Sequence, residues 1–218
     1  MVSAMTMSMD DCLFADHLPD DPCAELAKWF DYARAHSGAT NWNTVMLATV
    51  GAGGMPSARA VLHKNFDPSD GSVTFYTNYS SRKARDIDAN PSVALTWHWD
   101  ALQRQVRIEG TASKVEPAVS DAYFATRVRE SQIGAWASDQ SQPLEGWEAL
   151  LEKVIGYATE FADKPVPRPP YWGGYRVIPQ TIEFWHGRDG RIHERVLYSR
   201  SSDAAATATI WHPQWINP

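Results

Sequence analysis

The stretch that most constrains the fold is residues 181–195, TIEFWHGRDGRIHER, which has the pattern of a β-hairpin. Strand-forming residues precede an Asp-Gly turn signal, and alternating residues follow it. Because side chains alternate along a strand, Arg191, His193 and Arg195 would project from one face. Such a face is either the solvated side of an edge strand or an anion or cofactor site with Trp185 as an aromatic wall.

The rest of the chain contains short runs that favour strands, separated by turn residues. Strands are predicted at 44–50, 57–64, 72–78, 92–99 and 103–115. Helices are predicted between Asp20 or Asp21 and Gly38, from 79–83 to about 89, at 117–127 and at 144–161, and a loop at 131–138. The apolar stripe of 144–161 is predicted to pack in the core or in a dimer. This order predicts a mainly β fold, a mostly antiparallel barrel with peripheral helices.

The glycine-rich residues 51–54 suggest either a dinucleotide-binding loop or a hairpin turn. Pro56 stands where the third glycine of a G-x-G-x-x-G motif belongs, and a strand follows instead of a helix. The hairpin turn is therefore the better interpretation.

The chain is predicted to form one domain preceded by an arm. Residues 1–19 are predicted to be a flexible or partner-dependent arm, and residues 20–218 a single domain. The proline-rich segment 163–170 is predicted to be an extended connector. It is not predicted to be a domain boundary, because the hairpin after it is too small to fold alone.

Composition argues against several classes of function. The formal net charge is −6 and the isoelectric point is about 5.6, so no general nucleic-acid-binding surface is expected. The two cysteines, Cys12 and Cys23, form no C-x-x-C pair, which argues against a disulfide framework or a zinc site and fits a reducing cytosol. Without a signal-peptide pattern or an apolar run of about 18 residues, we expect a cytoplasmic protein with no membrane span.

Two local groups of polar residues predict anion binding. Ser81 opens a predicted helix with Arg82 and Lys83 in its first turn, where cations oppose the helix dipole unless an anion binds there. The alternative is an exposed basic turn. In the next predicted helix, Tyr123 and Arg127 are four residues apart and therefore share one face.

The closing hairpin and a series of earlier motifs resemble the pyridoxine (pyridoxamine) 5'-phosphate oxidases, a family of flavin enzymes. The motifs follow the family order: Arg59-Ala-Val-Leu-His-Lys64, Tyr76-Thr77, Ser81-Arg82-Lys83, Arg104-Gln105-Val106, Tyr123 with Arg127, SQIGAWAS at 131–138, Gln140-Ser141, and IEFWH with RIHER at 182–195. Several independent motifs in one order argue against a chance match.

The resemblance implies an FMN-binding split β-barrel that forms a homodimer, with FMN at the subunit interface. It implies FMN contacts for Arg59, Ala60, Val61, Leu62, Tyr76, Thr77, Arg82, Lys83, Gln105, Gln140, Ser141, Trp185 and Arg195. It implies that Lys64, Tyr123, Arg127 and Ser131 bind the substrate phosphate, and that Arg191 and His193 are catalytic residues facing the reacting end of the substrate. Arg59 and Lys64 differ in parity along their strand, so a bulge or strand end must lie between them, or they serve different ligands.

The implied activity is the oxidation of pyridoxamine or pyridoxine 5'-phosphate to pyridoxal 5'-phosphate, with dioxygen as acceptor and hydrogen peroxide as product. Arg191 would orient the substrate, and His193 would either accept or relay a proton or make only a positional hydrogen bond. One alternative is a related flavin oxidase of the phenazine type. Another is a binding protein that holds FMN or pyridoxal phosphate without turnover.

The chain departs from the family pattern at both ends. Members usually carry a basic arm with an Arg-Arg-Glu-Tyr-like run that folds over the substrate, and no such run precedes Asp20. Members also tend to end in Arg-Leu-x-Pro, whereas this chain ends Trp215-Ile216-Asn217-Pro218.

Overall fold

A computed structural model describes residues 12–14, 17–201 and 209–218 of the chain. The described residues form one antiparallel sheet and five peripheral α-helices. The strands are β1 (Thr44–Val50), β2 (Pro56–Asp67), β3 (Ser72–Asn78), β4 (Ser92–Trp99), β5 (Arg104–Lys114), β6 (Trp172–His186), β7 (Glu194–Arg200) and β8 (Trp211–Trp215). The helices are α1 (Pro22–His36), α2 (Arg82–Ala89), α3 (Pro117–Ala125), α4 (Arg129–Ala137) and α5 (Trp147–Glu160).

Six of the strands close into a barrel, because β3 pairs with both β2 and β6 in the order β3-β2-β1-β4-β5-β6. Alternate side chains of these strands fill the interior with large apolar groups such as Leu47, Trp97 and Ile108, all at most 1% exposed. The strands β7 and β8 extend the sheet beyond β6. The predicted mainly β fold, an antiparallel barrel with peripheral helices, is confirmed.

Helix α1 packs on the barrel core through Leu26, Trp29 and Phe30. It begins as the sequence predicts: the Asp21 side chain accepts a hydrogen bond from the Cys23 N–H at 2.8 Å. No helix of the described residues is long and apolar enough to cross a membrane.

One predicted loop is a helix, and one strand was not predicted. Residues 131–138, predicted to be a loop, lie mostly in helix α4. Gly134 weakens the local helical signal, and packing of Ile133 against Phe124 and Phe161 supplies the stability that propensity lacks. The weakly patterned tail after Ser199 contains strand β8, which forms through pairing with β7.

Helix α5 has two apolar faces. One face packs against α4 through Val154, Tyr157 and Ala158. The other face, formed by Trp147, Leu151 and Ile155, is 44% to 66% exposed. The helix begins at Trp147 and not at 144 as predicted, so Leu144, which is 48% exposed, lies in the loop before it. The predicted stripe of 144–161 is therefore divided between the core and an apolar surface.

The last hairpin differs from its predicted form. Strand β7 begins only at Glu194, and a 3₁₀ turn covers Asp189–Arg191. The prediction that Arg191, His193 and Arg195 project from one strand face is therefore wrong, because Arg191 and His193 lie before the strand. The contact of His193 with Trp185 is present, with ring centroids 4.7 Å apart.

A short part of the predicted N-terminal arm lies against this hairpin. Phe14 is 9% exposed and makes edge-to-face contacts with Phe184 and Trp215 at 6.2 and 6.4 Å. The Leu13 N–H donates to the Glu194 carboxylate at 2.9 Å. The remaining residues of the arm up to 11, with 15 and 16, lie outside the described residues.

Candidate active site

A cavity of about 550 Å³ lies among the strands β2 and β3, the helix α2 and the α3–α4 pair. The predicted site residues that line it are Arg59, Ala60, Val61, Leu62, Lys64, Tyr76, Thr77, Lys83, Tyr123, Arg127, Ser131 and Gln140. They include all four residues predicted to bind a substrate phosphate and most of those predicted to contact FMN. The fold thus gathers them from separate elements into one concave surface.

Strand β2 presents both Arg59 and Lys64 to the cavity because it is bulged. His63 and Asn65 pair with consecutive residues of β3, so Lys64 is an extra residue in the ladder. A bulge changes the face on which the following side chains lie. The conflict of parity between Arg59 and Lys64 is resolved by this bulge.

The cavity contains a buried cation, Lys83, whose hydrogen-bond partners are neutral. Its Nζ donates to Gln140 Oε1 at 2.7 Å, to Thr77 Oγ1 at 3.1 Å and to Ser81 Oγ at 3.4 Å. Burial, followed by the charge of Arg59, lowers the pKa of Lys83 to about 8. An ammonium group among neutral acceptors and beside a second cation favours an anion as its next neighbour.

Arg59 is held in place by the protein. Its guanidinium donates to Thr49 Oγ1 at 2.7 Å and to Ser57 Oγ at 2.9 Å. It also lies 3.7 Å from the carboxylate of Asp86 on α2. Because Asp86 accepts from Thr49 at 2.7 Å, these contacts fix α2 against the barrel and set the position of Lys83.

Aromatic rings form one wall of the cavity. Tyr76 and Tyr123 stack with centroids 3.9 Å apart, and Trp172 lies nearly parallel to Tyr76 at 5.5 Å. The predicted pair of Tyr123 and Arg127 does reach the same cavity, although α3 ends at Ala125. The turn after the helix, and not the helical face, brings Arg127 there.

The Arg127 guanidinium contains a buried donor that has no acceptor among the described residues. It lies over Trp172 at 4.7 Å and over Phe124 at 5.6 Å, and burial lowers its pKa. Its Nη1 atom is buried and has no hydrogen-bond partner among the described residues. A buried unpaired donor costs about 1–3 kcal/mol, which an anion in the cavity would recover.

The other predicted residues lie away from this cavity, most of them at the far end of β6. Gln105, Trp185 and Arg195 occupy one row across β5, β6 and β7. Strand β6 has 15 residues, with Trp172 at its beginning and Trp185 near its end. A strand rises by about 3.3 Å per residue, so Trp172 and Trp185 lie far apart along β6. Within one chain, the row of Gln105, Trp185 and Arg195 therefore does not reach the cavity.

Arg195 and Arg191, which both lie away from the cavity, are in different environments. Arg195 donates to Glu183 at 2.8 Å and to the Asn217 carbonyl at 3.1 Å. Arg191 is exposed in the hairpin turn and has a φ of +64°, a left-handed conformation that is uncommon for a residue with a side chain.

Arg82 and Ser141 complete the predicted set. Arg82 is exposed and does not line the cavity, so the two cations at the start of α2 diverge. Ser141, with a φ of +71°, lines an adjoining cavity of about 160 Å³ that shares Gln140 with the larger one.

Sequence reasoning missed several residues that line the large cavity: Asn78, Gly134, Ala135, Ser138 and Trp172. Asn78 donates to the Ser138 carbonyl at 3.1 Å and so links β3 to the end of α4. Trp172 follows the proline-rich connector and opens β6, the first residues of which lie before the predicted hairpin at 181–195.

Comparisons with known proteins show which families and folds the chain resembles. Residues 37–156 match the family model for pyridoxamine 5'-phosphate oxidase, and residues 172–218 match that for the pyridoxine 5'-phosphate oxidase C-terminal dimerisation region. A pyridoxine/pyridoxamine 5'-phosphate oxidase of Rubrobacter xylanophilus is 50% identical over 188 residues, 86% of this chain and 85% of the relative. One from Sphingopyxis alaskensis is 50% identical over 201 residues, 92% of this chain and 89% of the relative.

Two solved structures have the same fold. PhzG from Burkholderia lata 383, in complex with tetrahydrophenazine-1-carboxylic acid, has a TM-score of 0.83 and 26% identity, covering 100% of this chain and 99% of that one. A pyridoxamine 5'-phosphate oxidase-related, FMN binding protein from Nostoc punctiforme has a TM-score of 0.69 and 18% identity, covering 89% of this chain and 96% of that one.

Proposed function

Because this chain belongs to the pyridoxamine 5'-phosphate oxidase family, we propose that it oxidises pyridoxamine or pyridoxine 5'-phosphate to pyridoxal 5'-phosphate. Bound FMN would be the cofactor, and dioxygen the electron acceptor, with release of hydrogen peroxide. The observation that carries the proposal is the buried, unpaired Arg127 Nη1 in a cavity that also contains Lys64 and Lys83. Two separate cationic positions suit two phosphorylated ligands.

The cavity residues fit FMN on three counts. The volume of about 550 Å³ is within the range of cavities that hold ligands of this size. Lys83 offers a buried ammonium without a carboxylate partner in the described chain. The adjacent residues 59–62 of β2 line the wall, where extended backbone can hydrogen-bond a planar ring system.

The substrate phosphate is proposed to bind at Arg127, with Lys64, Tyr123 and Ser131. Arg127 offers a planar fork of donors already oriented by stacking on Trp172 at 4.7 Å, whereas Lys64 adds an exposed point charge. Since the fork is fixed before the ligand binds, less side-chain entropy is lost on binding.

A homodimer would bring the second group of residues to the cavity. Support comes from the match of residues 172–218, which include Trp185 and Arg195, to a dimerisation region. On the outward face of the barrel, Met46 is 46% exposed and lies in one row between Ala60 and Thr96.

The redox chemistry would be that of bound FMN, which accepts a hydride and returns electrons to dioxygen. The protein's own part is to hold the substrate ring in place. Arg127 and Lys64 would anchor the phosphate, Arg191 would orient the ring from the opposite side, and His193 would face the reacting end of the substrate. The aromatic wall of Tyr76 and Tyr123 would exclude water from the phosphate end.

The proposal is tested with the purified wild-type chain. We expect bound flavin, visible by its absorption, and release of hydrogen peroxide when pyridoxamine 5'-phosphate and air are supplied. Flavin without peroxide from either phosphorylated substrate would instead support a storage protein. A chain that binds no flavin would contradict both functions.

A related flavin oxidase of the phenazine type is the second candidate, because the structural match to PhzG covers the whole chain. A larger aromatic acid without a phosphate would leave Arg127 and Lys64 without their proposed partner. Turnover of tetrahydrophenazine-1-carboxylic acid at a higher kcat/KM than pyridoxamine 5'-phosphate would favour this candidate.

Replacing Lys83 by methionine should weaken FMN binding about tenfold to a hundredfold, because one charge-assisted hydrogen bond contributes about 1.5–3 kcal/mol. Titration of the apoprotein by flavin fluorescence measures the change. The matched control is Lys28→Met, at a 72% exposed side chain on α1, which should leave the Kd unchanged. Equal Kd values for the two variants would exclude Lys83 from the FMN site.

A further inference from the structure

Glu194 connects three separate segments at the last hairpin. Its carboxylate accepts from the Leu13 N–H at 2.9 Å and from Cys12 Sγ at 3.3 Å, which belong to the N-terminal segment. It also contacts the Arg188 guanidinium and lies 3.4 Å from His186 Nδ1. The Glu194 side chain is 11% exposed, so these contacts replace water around it.

The charge of Glu194 is maintained in this buried position. Burial by itself raises the pKa of a carboxyl, but the hydrogen bonds from Leu13 and Arg188 outweigh it and lower the pKa of Glu194. The carboxylate is therefore ionised at neutral pH and can bind the Arg188 guanidinium through charge-assisted hydrogen bonds.

This anchoring determines what His193 can do. The Arg188 backbone N–H donates to His193 Nδ1 at 3.1 Å, and the His193 ring lies against Trp185 at 4.7 Å. A neutral imidazole has one donor and one acceptor nitrogen. Since Nδ1 is the acceptor here, the proton is on Nε2, which becomes a hydrogen-bond donor.

We propose that Glu194 is a positioning residue, which ties residues 186–188 to the N-terminal segment so that the Arg188 N–H holds His193 as the Nε2–H tautomer, a donor toward the substrate. This rests on the proposed function, in which His193 faces the substrate. It assigns His193 as a hydrogen-bond donor to an oxygen of the pyridine ring substituents, and not as a base that removes a proton.

The tautomer is tested directly by NMR. In protein with ¹⁵N-labelled histidine, a long-range ¹H–¹⁵N spectrum at neutral pH should show His193 with a bare Nδ1 and a protonated Nε2. The variant His193→Gln assigns the signals. In Glu194→Gln we expect a mixture of the two tautomers. A protonated Nδ1 in the wild type, or an unchanged pattern in Glu194→Gln, would overturn the proposal.

Kinetics give an independent measurement. Glu194→Gln keeps the shape of the side chain but loses its charge, and we expect kcat to fall about tenfold while KM changes by less than about twofold. Because Glu194→Gln leaves the proposed phosphate-binding residues unchanged, KM should stay close to its wild-type value. Arg188→Ala should reproduce the loss, and the double variant should be no worse than either single one, because both changes break the same contact.

Controls separate this role from folding and from the proposed function itself. Asp31→Asn removes an exposed carboxylate that also pairs with an arginine, Arg34 at 2.9 Å, and should leave kcat unchanged. The hairpin keeps a second anchor, the Gly187 N–H to the Gln103 carbonyl at 2.7 Å, so Glu194→Gln should fold. An inactive wild type contradicts the proposed function, whereas an active wild type with additive kcat losses in the double variant contradicts only the role of Glu194.

Discussion

Replacing Arg127 by leucine should raise the KM for pyridoxamine 5'-phosphate at least about tenfold. The guanidinium is proposed to make two parallel hydrogen bonds to the phosphate, and charge-assisted bonds contribute about 1.5–3 kcal/mol each. The effect should be largely absent with pyridoxamine, which lacks the phosphate. Steady-state peroxide release with both substrates measures the difference.

The same variant should be at least as stable as the wild type. Arg127 Nη1 is buried without a partner among the described residues, so leucine removes an uncompensated donor while keeping the apolar contact with Trp172. We expect an unchanged or higher Tm, by thermal unfolding of the ligand-free protein. Arg34→Leu, at an exposed arginine of α1, is the matched control and should change neither KM nor Tm noticeably.

Two results would argue against the role of Arg127. If KM rises equally with pyridoxamine and with its phosphate, the arginine does not bind the phosphate. If Tm falls by several degrees, the guanidinium stabilises the fold and the larger KM has a structural cause. Arg127→Lys distinguishes further, because it keeps the charge and loses the fork, and should give an intermediate KM.

Replacing Arg191 by alanine should leave FMN binding intact and remove most of the turnover, by at least about tenfold in kcat. Arg191 is exposed in the free chain and does not line the cavity that contains Lys83, so its loss should not alter the flavin Kd. Its φ of +64° costs about 1–2 kcal/mol for a residue with a side chain. Backbone strain of this kind clusters at active sites, where it holds a side chain in one fixed orientation.

Glycine at the same position controls for the backbone. Arg191→Gly also lacks the guanidinium, but glycine adopts a positive φ without strain, so the turn should be at least as stable. Equal losses of kcat in the alanine and glycine variants would assign the effect to the guanidinium. Recovery in the glycine variant would assign it to the turn conformation, and turnover at the wild-type rate in both would contradict the role of Arg191.

Local patterns predicted the elements well where one signal dominated. The N-cap at Asp21 and the runs of strand-forming residues in β1 and β3 are encoded within a few residues, and the structure has these elements where they were predicted. Helix α4 and strand β8 were missed because their own signals are weak. Their stability comes from contacts with distant residues, with Phe124 and Phe161 in one case and with β7 in the other.

The sequence by itself determined the class of fold, the family and the cations that could serve a phosphate site, because these depend on short patterns and on residue type. Only the tertiary structure decided which of those cations meet: closure of the barrel between β3 and β6 brings Lys83 and Arg127 to one cavity, while Arg82 faces solvent and Arg191 lies beyond the other end of β6. The physical reason is that side-chain periodicity fixes a face within one element. The distance between faces of different elements depends on strand pairing and on irregularities such as the bulge at Lys64.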